Sequence, residues 1–127
     1  MGNLENNPDK QAQVFADDRA NVFHSWSAQA QISPMVVAGG AGSYFWDFTG
    51  KKYLDFSCQL VFTNIGHQHP KVIEAIKAQA DVLATVAPQH ANEARNQAAK
   101  AIIEVANGNY QKVFFTNAGA DGVENAV

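Results

Sequence analysis

The sequence predicts an α/β fold, and three observations carry that prediction. Two amphipathic helical patterns, over residues 70–83 and 94–106, are followed by Lys112-Val113-Phe114-Phe115-Thr116, a short and almost wholly apolar run. Runs of that kind are usually strands buried on both faces of a parallel sheet. Ahead of them, Ser43–Asp47 and Lys52–Phe56 are aromatic-rich runs split by Phe48-Thr49-Gly50-Lys51, which is a β-hairpin signal. The apolar faces of the two helices exceed what one strand and one hairpin cover, so the pattern implies more sheet than these 127 residues hold.

Taken in order, Met1 to Pro8 holds three Asn, a Gly and a Pro with almost nothing to bury, and reads as a flexible leader. From Asp9, Val14, Phe15, Val22 and Phe23 recur at roughly helical spacing, with Lys10, Asp17, Asp18 and Arg19 on the wet face. Ser33-Pro34 breaks regularity. Gly39-Gly40-Ala41-Gly42 places three glycines in four positions, so the backbone there turns or passes close to something. Beyond the hairpin, Cys58 reads as filler in an apolar strand. Gly66 to Pro70 is a breaker cluster, with Pro70 suited to a first helical turn and His69 placed as an N-cap. Val72, Ile73, Ile76, Ala80 and Leu83 then form one stripe opposite Lys71, Glu74, Lys77 and Asp81. After Pro88, Ala94, Ala98, Ile102 and Ala106 are spaced by four, and Gly108 supplies a stop. A loop, Asn117 to Gly122, leads from the apolar run into Val123–Val127, which starts like a helix and ends after about one and a half turns. There is no internal repeat.

Composition narrows the function. A net charge of −3 with basic residues scattered singly gives no field for polyphosphate, which argues against nucleic acid as a partner. No window reaches the ~18 apolar residues of a membrane span. Eight Phe, three Tyr and two Trp are more aromatic surface than a disordered chain carries. One thiol, Cys58, excludes an intramolecular disulfide, and no apolar stretch follows Met1, so a cytoplasmic location is expected.

Chemistry is concentrated in a few places. The strand, small-residue loop and helix start from Val113 to Val127 have the physical pattern of an anion site: residues without bulk let the backbone approach, and N–H groups converge at a helix N-terminus. The amides of Gly119 and Ala120 are the candidates, while the same pattern is also that of an ordinary structural turn. Asp121 opposes anion binding unless its carboxylate caps the new helix and faces away. His67-Gln68-His69 lacks a third ligand nearby in sequence, so no metal is expected. Catalysis by Cys58 would need a base arranged around it. Trp26, among polar neighbours, reads either as an exposed pocket wall or as a packed loop anchor. Glycines 39, 40 and 42 do not make a dinucleotide fingerprint.

Three stretches together go further: Gly42 to Phe56 (GSYFWDFTGKKYLDF), Asn64 to Pro70 (NIGHQHP) and Lys112 to Glu124 (KVFFTNAGADGVE). In order and spacing they resemble the opening third of class III pyridoxal-phosphate (PLP) aminotransferases, most of all the ω-amino acid and amine:pyruvate transaminases. The resemblance implies the N-terminal part of a fold type I PLP-dependent transferase, in which a large domain with a mainly parallel sheet carries the cofactor and a small domain gathers both chain ends. Such enzymes are homodimers. It implies that Ala118-Gly119-Ala120 stands where the family has its Ser-Gly-Ser/Thr phosphate turn. Alanine at 118 and 120 removes both hydroxyls, leaving backbone N–H groups to hold phosphate. It also implies that Trp26, Leu60 and Val61 line the substrate pocket, which is more open at Val61 than where relatives carry a bulky aromatic.

None of the seven lysines matches the context of the family's Schiff-base lysine, so no catalytic residue is assigned here. The expectation is therefore an N-terminal portion acting with the remainder of its polypeptide or a companion chain. Residues 9–70 would belong to the small domain and 71–127 to the start of the large one. The expected reaction moves an amino group from an amine or ω-amino acid to a 2-oxo acid such as pyruvate. A lyase, racemase or decarboxylase on the same scaffold, and a non-catalytic module that binds a phosphorylated ligand or packs on a partner, are the alternatives.

Overall fold

The computed structural model describes residues 6–127, which divide into two compact units, one ending at Ile76 and one spanning Lys77–Val127. Helix α1 (Pro8–Asn21) begins earlier than the sequence suggests. Asn7 is its N-cap and its side chain accepts the Lys10 N–H at 2.9 Å, while Pro8 takes a first-turn position where no N–H is needed. Residues 7 and 8 are thus structured rather than part of a leader, whose residues 1–5 lie outside the described residues. The helix stops at Asn21, with Val22 extended and Phe23 exposed, so that pair does not continue the apolar face.

The sheet has three antiparallel strands in the order β1 (Gly39–Ala41), β2 (Tyr44–Trp46), β3 (Lys52–Leu54). The expected hairpin is β2–β3, with Phe45 opposite Tyr53 and their rings stacked at 5.3 Å. β1 occupies the glycine run, which the sequence marked only as a turn or close approach. Both occur there: a Cβ on Gly39 would come within 2.9 Å of the Trp46 indole, and one on Gly40 within 2.9 Å of the His67 ring, while Gly42 has φ +57°. Phe48 ties α1 to the hairpin turn, its carbonyl accepting the Asn7 N–H (2.7 Å) and its N–H donating to Gln11 Oε1 (3.0 Å).

Asp47 organises that turn. Its carboxylate is buried and accepts from the Thr49 hydroxyl (2.7 Å), the Tyr53 hydroxyl (2.9 Å) and the N–H groups of Thr49 (2.9 Å) and Lys51 (3.1 Å). The Thr49 hydroxyl chiefly, against the upward push of burial, and then Tyr53 and the two backbone donors hold the Asp47 carboxyl below its ordinary 3.8.

Helix α3 (Pro70–Val82) forms as the stripe predicts. His69 does stand at its start, but through its carbonyl, which accepts from Val72 and Ile73. The ring caps nothing, and its Nδ1 is buried without a partner. Helix α4 (Glu93–Val105) is capped by Asn92, whose side chain accepts the Arg95 N–H at 3.0 Å. It ends with Ala106 extended. Gly108 is not its left-handed terminator and instead makes room for the Tyr110 ring.

The apolar run 112–116 is not a strand here. A strand exists through ladder bonds to a neighbour, and none reaches this run among the described residues; Phe114 and Phe115 are exposed. The last helix, α5 (Gly119–Glu124), starts four residues earlier than the Val123 start expected from the sequence.

Candidate functional site

Three segments carry the site residues that the resemblance implies, two in the unit ending at Ile76 and one in Lys77–Val127. In Lys77–Val127, Ala118 is the extended N-cap of α5, with φ −145° and ψ 161°. Gly122 N–H donates to the Ala118 carbonyl at 3.0 Å, closing the first turn. The N–H groups of Gly119 and Ala120 precede that first intrahelical bond, as the opening donors of a helix do. A Cβ on Gly119 would meet nothing within 4 Å, so the main chain is open to approach. Asp121 lies in the first turn but makes no cap: the N-cap has no side-chain hydrogen bond, and the Asp121 carbonyl, not its carboxylate, is engaged, by Asn125. This loop suits a phosphate held by main-chain N–H groups, without hydroxyl contacts from 118 or 120.

In the other unit, Trp26 lies in a turn with φ +56° and is 96% exposed. Gln29 holds this turn from both sides. Its side-chain oxygen accepts the His24 N–H (3.1 Å), and its amide NH2 donates to the carbonyls of His24 (2.5 Å) and Ser27 (2.9 Å). His24 in turn pairs with Asp18 of α1 at 2.7 Å, and Arg19 donates to the Gln29 carbonyl. Nothing in the local sequence pattern marks Gln29, whose partners His24 and Ser27 lie five and two residues away.

Leu60 and Val61 sit together in α2 (Cys58–Val61), a four-residue turn of unusual hand. Cys58, Gln59, Leu60 and Val61 have φ of +49°, +48°, +57° and +64°, so this is a left-handed turn without a glycine. Cys58 is therefore not in a strand. Each L-residue held this way costs roughly 1–2 kcal/mol, and such a conformation persists only where its surroundings over-determine it. Leu60 and Val61 are exposed.

Asp55 supplies much of that determination. Its buried carboxylate accepts from the Ser57 hydroxyl (3.3 Å), the Gln59 N–H (3.3 Å), the Gln59 side chain (3.1 Å), the Thr63 hydroxyl (3.4 Å) and His67 Nε2 (2.7 Å). Burial pushes this carboxyl up. The donors, led by the Gln59 side chain and His67, outweigh it and hold the group below its ordinary 3.8. His67 does have an acid beside it in space, twelve residues back in sequence. Asp55, Cys58 and His67 border a pocket of about 60 Å³, yet no group of three metal-binding side chains occurs among the described residues.

A mixed α/β segment that aligns with the N-terminal quarter of fold type I aminotransferase structures is the class these features define. The model of the family "Aminotransferase class-III" matches residues 26–127, and the chain belongs to this PLP-dependent family. It is similar to acetylornithine aminotransferase of Methanocaldococcus jannaschii, 38% identical over 94 residues that make up 74% of this chain and 23% of that protein. Among solved structures it is similar to taurine:2-oxoglutarate aminotransferase from Bifidobacterium kashiwanohense, in complex with PLP and glutamate. The identity is 41% and the TM-score 0.86, over 91% of this chain and 26% of that one. An S-selective transaminase from Arthrobacter sp. with alanine bound matches at 33% identity and TM-score 0.81, over 91% and 25%. The chain spans about a quarter of the length of the curated relatives it matches.

Proposed function

We propose that this chain forms the N-terminal portion of a PLP-dependent aminotransferase that moves an amino group from an amine or ω-amino acid to a 2-oxo acid such as pyruvate. The observation that carries the reading is the family match over residues 26–127 together with three motifs in family order. Residues 9–70 serve the small domain and 71–127 open the large one, in a homodimer of the complete cytoplasmic enzyme. The amides of Gly119 and Ala120, with Ala118 turning the chain into α5, hold the cofactor phosphate. The α5 dipole adds favourable partial charge there. When bound, PLP supplies an electron sink for the bonds broken at the amine-bearing carbon. Trp26, Leu60 and Val61 present apolar surface to the donor and exclude water. The named relatives act on different donors, and the preference for an amine donor is supported by the resemblance of the three motifs to ω-amino acid and amine:pyruvate transaminases and by the small Val61.

The test is a donor panel with the complete polypeptide, PLP-loaded. Simple amines and ω-amino acids with pyruvate are expected to give kcat/KM at least tenfold above N-acetylornithine or taurine with 2-oxoglutarate. The reverse ranking overturns the donor assignment.

A further inference from the structure

The left-handed turn Cys58–Val61 carries two of the proposed pocket residues, and its backbone is tied at both ends: Val61 N–H to Ser57 O (3.2 Å), Phe62 N–H to the carbonyls of Cys58 and Gln59 (3.4 Å to the latter) and Thr63 N–H to Cys58 O (3.0 Å). Asp55 grips the same segment at its entrance through Ser57, inside through both nitrogens of Gln59, and at its exit through Thr63. His67 holds Asp55 in turn. The His67 ring is fixed by its edge contact with Phe45 (6.3 Å) and by its close seat over Gly40, which has no Cβ to obstruct it. Its backbone exchanges two hydrogen bonds with Gly42, at 2.8 and 3.0 Å. A chain of contacts therefore runs from the sheet through His67 and Asp55 to the backbone that bears Leu60 and Val61.

We infer that Asp55 and His67 are positioning residues that lock the Cys58–Val61 turn and thereby set which amino donors fit against Leu60 and Val61. The inference rests on the reading that these two residues line the donor pocket. The role of Asp55 and His67 is exerted through the turn. A loosened turn leaves chemistry at the cofactor in place but blurs the pocket wall, so the loss falls on KM and on discrimination by size.

The experiment uses the complete PLP-loaded polypeptide and three variants of graded severity: Asp55→Asn, His67→Gln, which keeps a side-chain N–H donor, and Gln59→Ala, which removes one contact and leaves the sheet intact. Two quantities are read: amide hydrogen exchange at Gln59 to Thr63, and kcat and KM for a small and a bulky amine with pyruvate. Asp55→Asn is expected to speed exchange in the turn at least tenfold with Phe45 and Tyr53 unchanged, and to raise KM for the bulky amine about tenfold with kcat within threefold. Gln59→Ala gives a smaller effect of the same kind, and His67→Gln is expected to retain most of the wild-type protection. Unchanged exchange in Asp55→Asn and Gln59→Ala overturns the lock. Faster exchange with unaltered donor preference overturns the link to specificity, and Leu60→Ala and Val61→Ala then separate the causes. If those two also leave donor preference unaltered, the pocket reading itself fails; if they shift it, only the positioning role fails.

Discussion

The unit ending at Ile76 and the unit Lys77–Val127 are built on different principles. The first contains Val36, Asp47 and Asp55, the buried residues of the described chain, and its order comes from hydrogen bonds that converge on two carboxylates. The second contains no buried residue at all. Its helices are held by their own ladders and caps, while Ile102, Val105, Phe114 and Phe115 lie exposed. Converging polar contacts fix a conformation within a short stretch of chain, whereas an apolar stripe only specifies that something must cover it.

Perturbations that break the comparison follow in falling order of effect. Asp55→Ala is expected to be the most damaging, because it strands five donors at once. Hydrogen exchange on the complete polypeptide should lose protection from Ser57 to His67 and keep it in α4. Gly40→Ala drives a Cβ into the His67 ring and is expected to cost about 1–3 kcal/mol, read as a lower denaturation midpoint. Asn92→Ala removes the α4 cap and should cost about 1 kcal/mol, with fraying confined to Glu93–Asn96. Gly119→Ala, where no protein atom lies within 4 Å of the added Cβ, is expected to change stability by less than about 0.5 kcal/mol, while PLP titration should show weaker cofactor affinity because the methyl group enters the space through which phosphate approaches the main chain.

Acid sharpens the same contrast. Asp47 and Asp55 are both held below their ordinary 3.8, so the unfolded chain takes up protons first as pH falls. The stability they contribute is complete above that ordinary value and is lost as pH drops through the lower folded one. Between about pH 5 and pH 3 the melting temperature of the wild type should fall more steeply than that of Asp55→Asn, which has no proton to gain at that position. Parallel slopes would remove Asp55 from the account.

What the sequence made legible divides along the same line. Helices α1, α3 and α4 and the β2–β3 hairpin are written in local spacing, caps and turn residues, and they are present within a few positions of expectation. β1 escaped because Gly39 and Gly40 have no side chains to show an alternating pattern. The left-handed turn escaped because Cys-Gln-Leu-Val contains no glycine to announce positive φ. The Asp55–His67 contact is formed by folding, and a search for metal ligands near His67 along the chain passes over an acid twelve residues back. The strand expected at 112–116 is absent: its apolar run is visible in the sequence, but a ladder depends on a neighbour rather than on the run's own residues.

The most direct measurement follows the nitrogen. The complete polypeptide, loaded with PLP, is incubated with a 15N-labelled primary amine and unlabelled pyruvate, and the products are resolved by mass. The account predicts [15N]alanine and the carbonyl compound of the donor in equal amounts, with no ammonia released. Labelled ammonia in place of alanine, or an unconsumed donor, would contradict it.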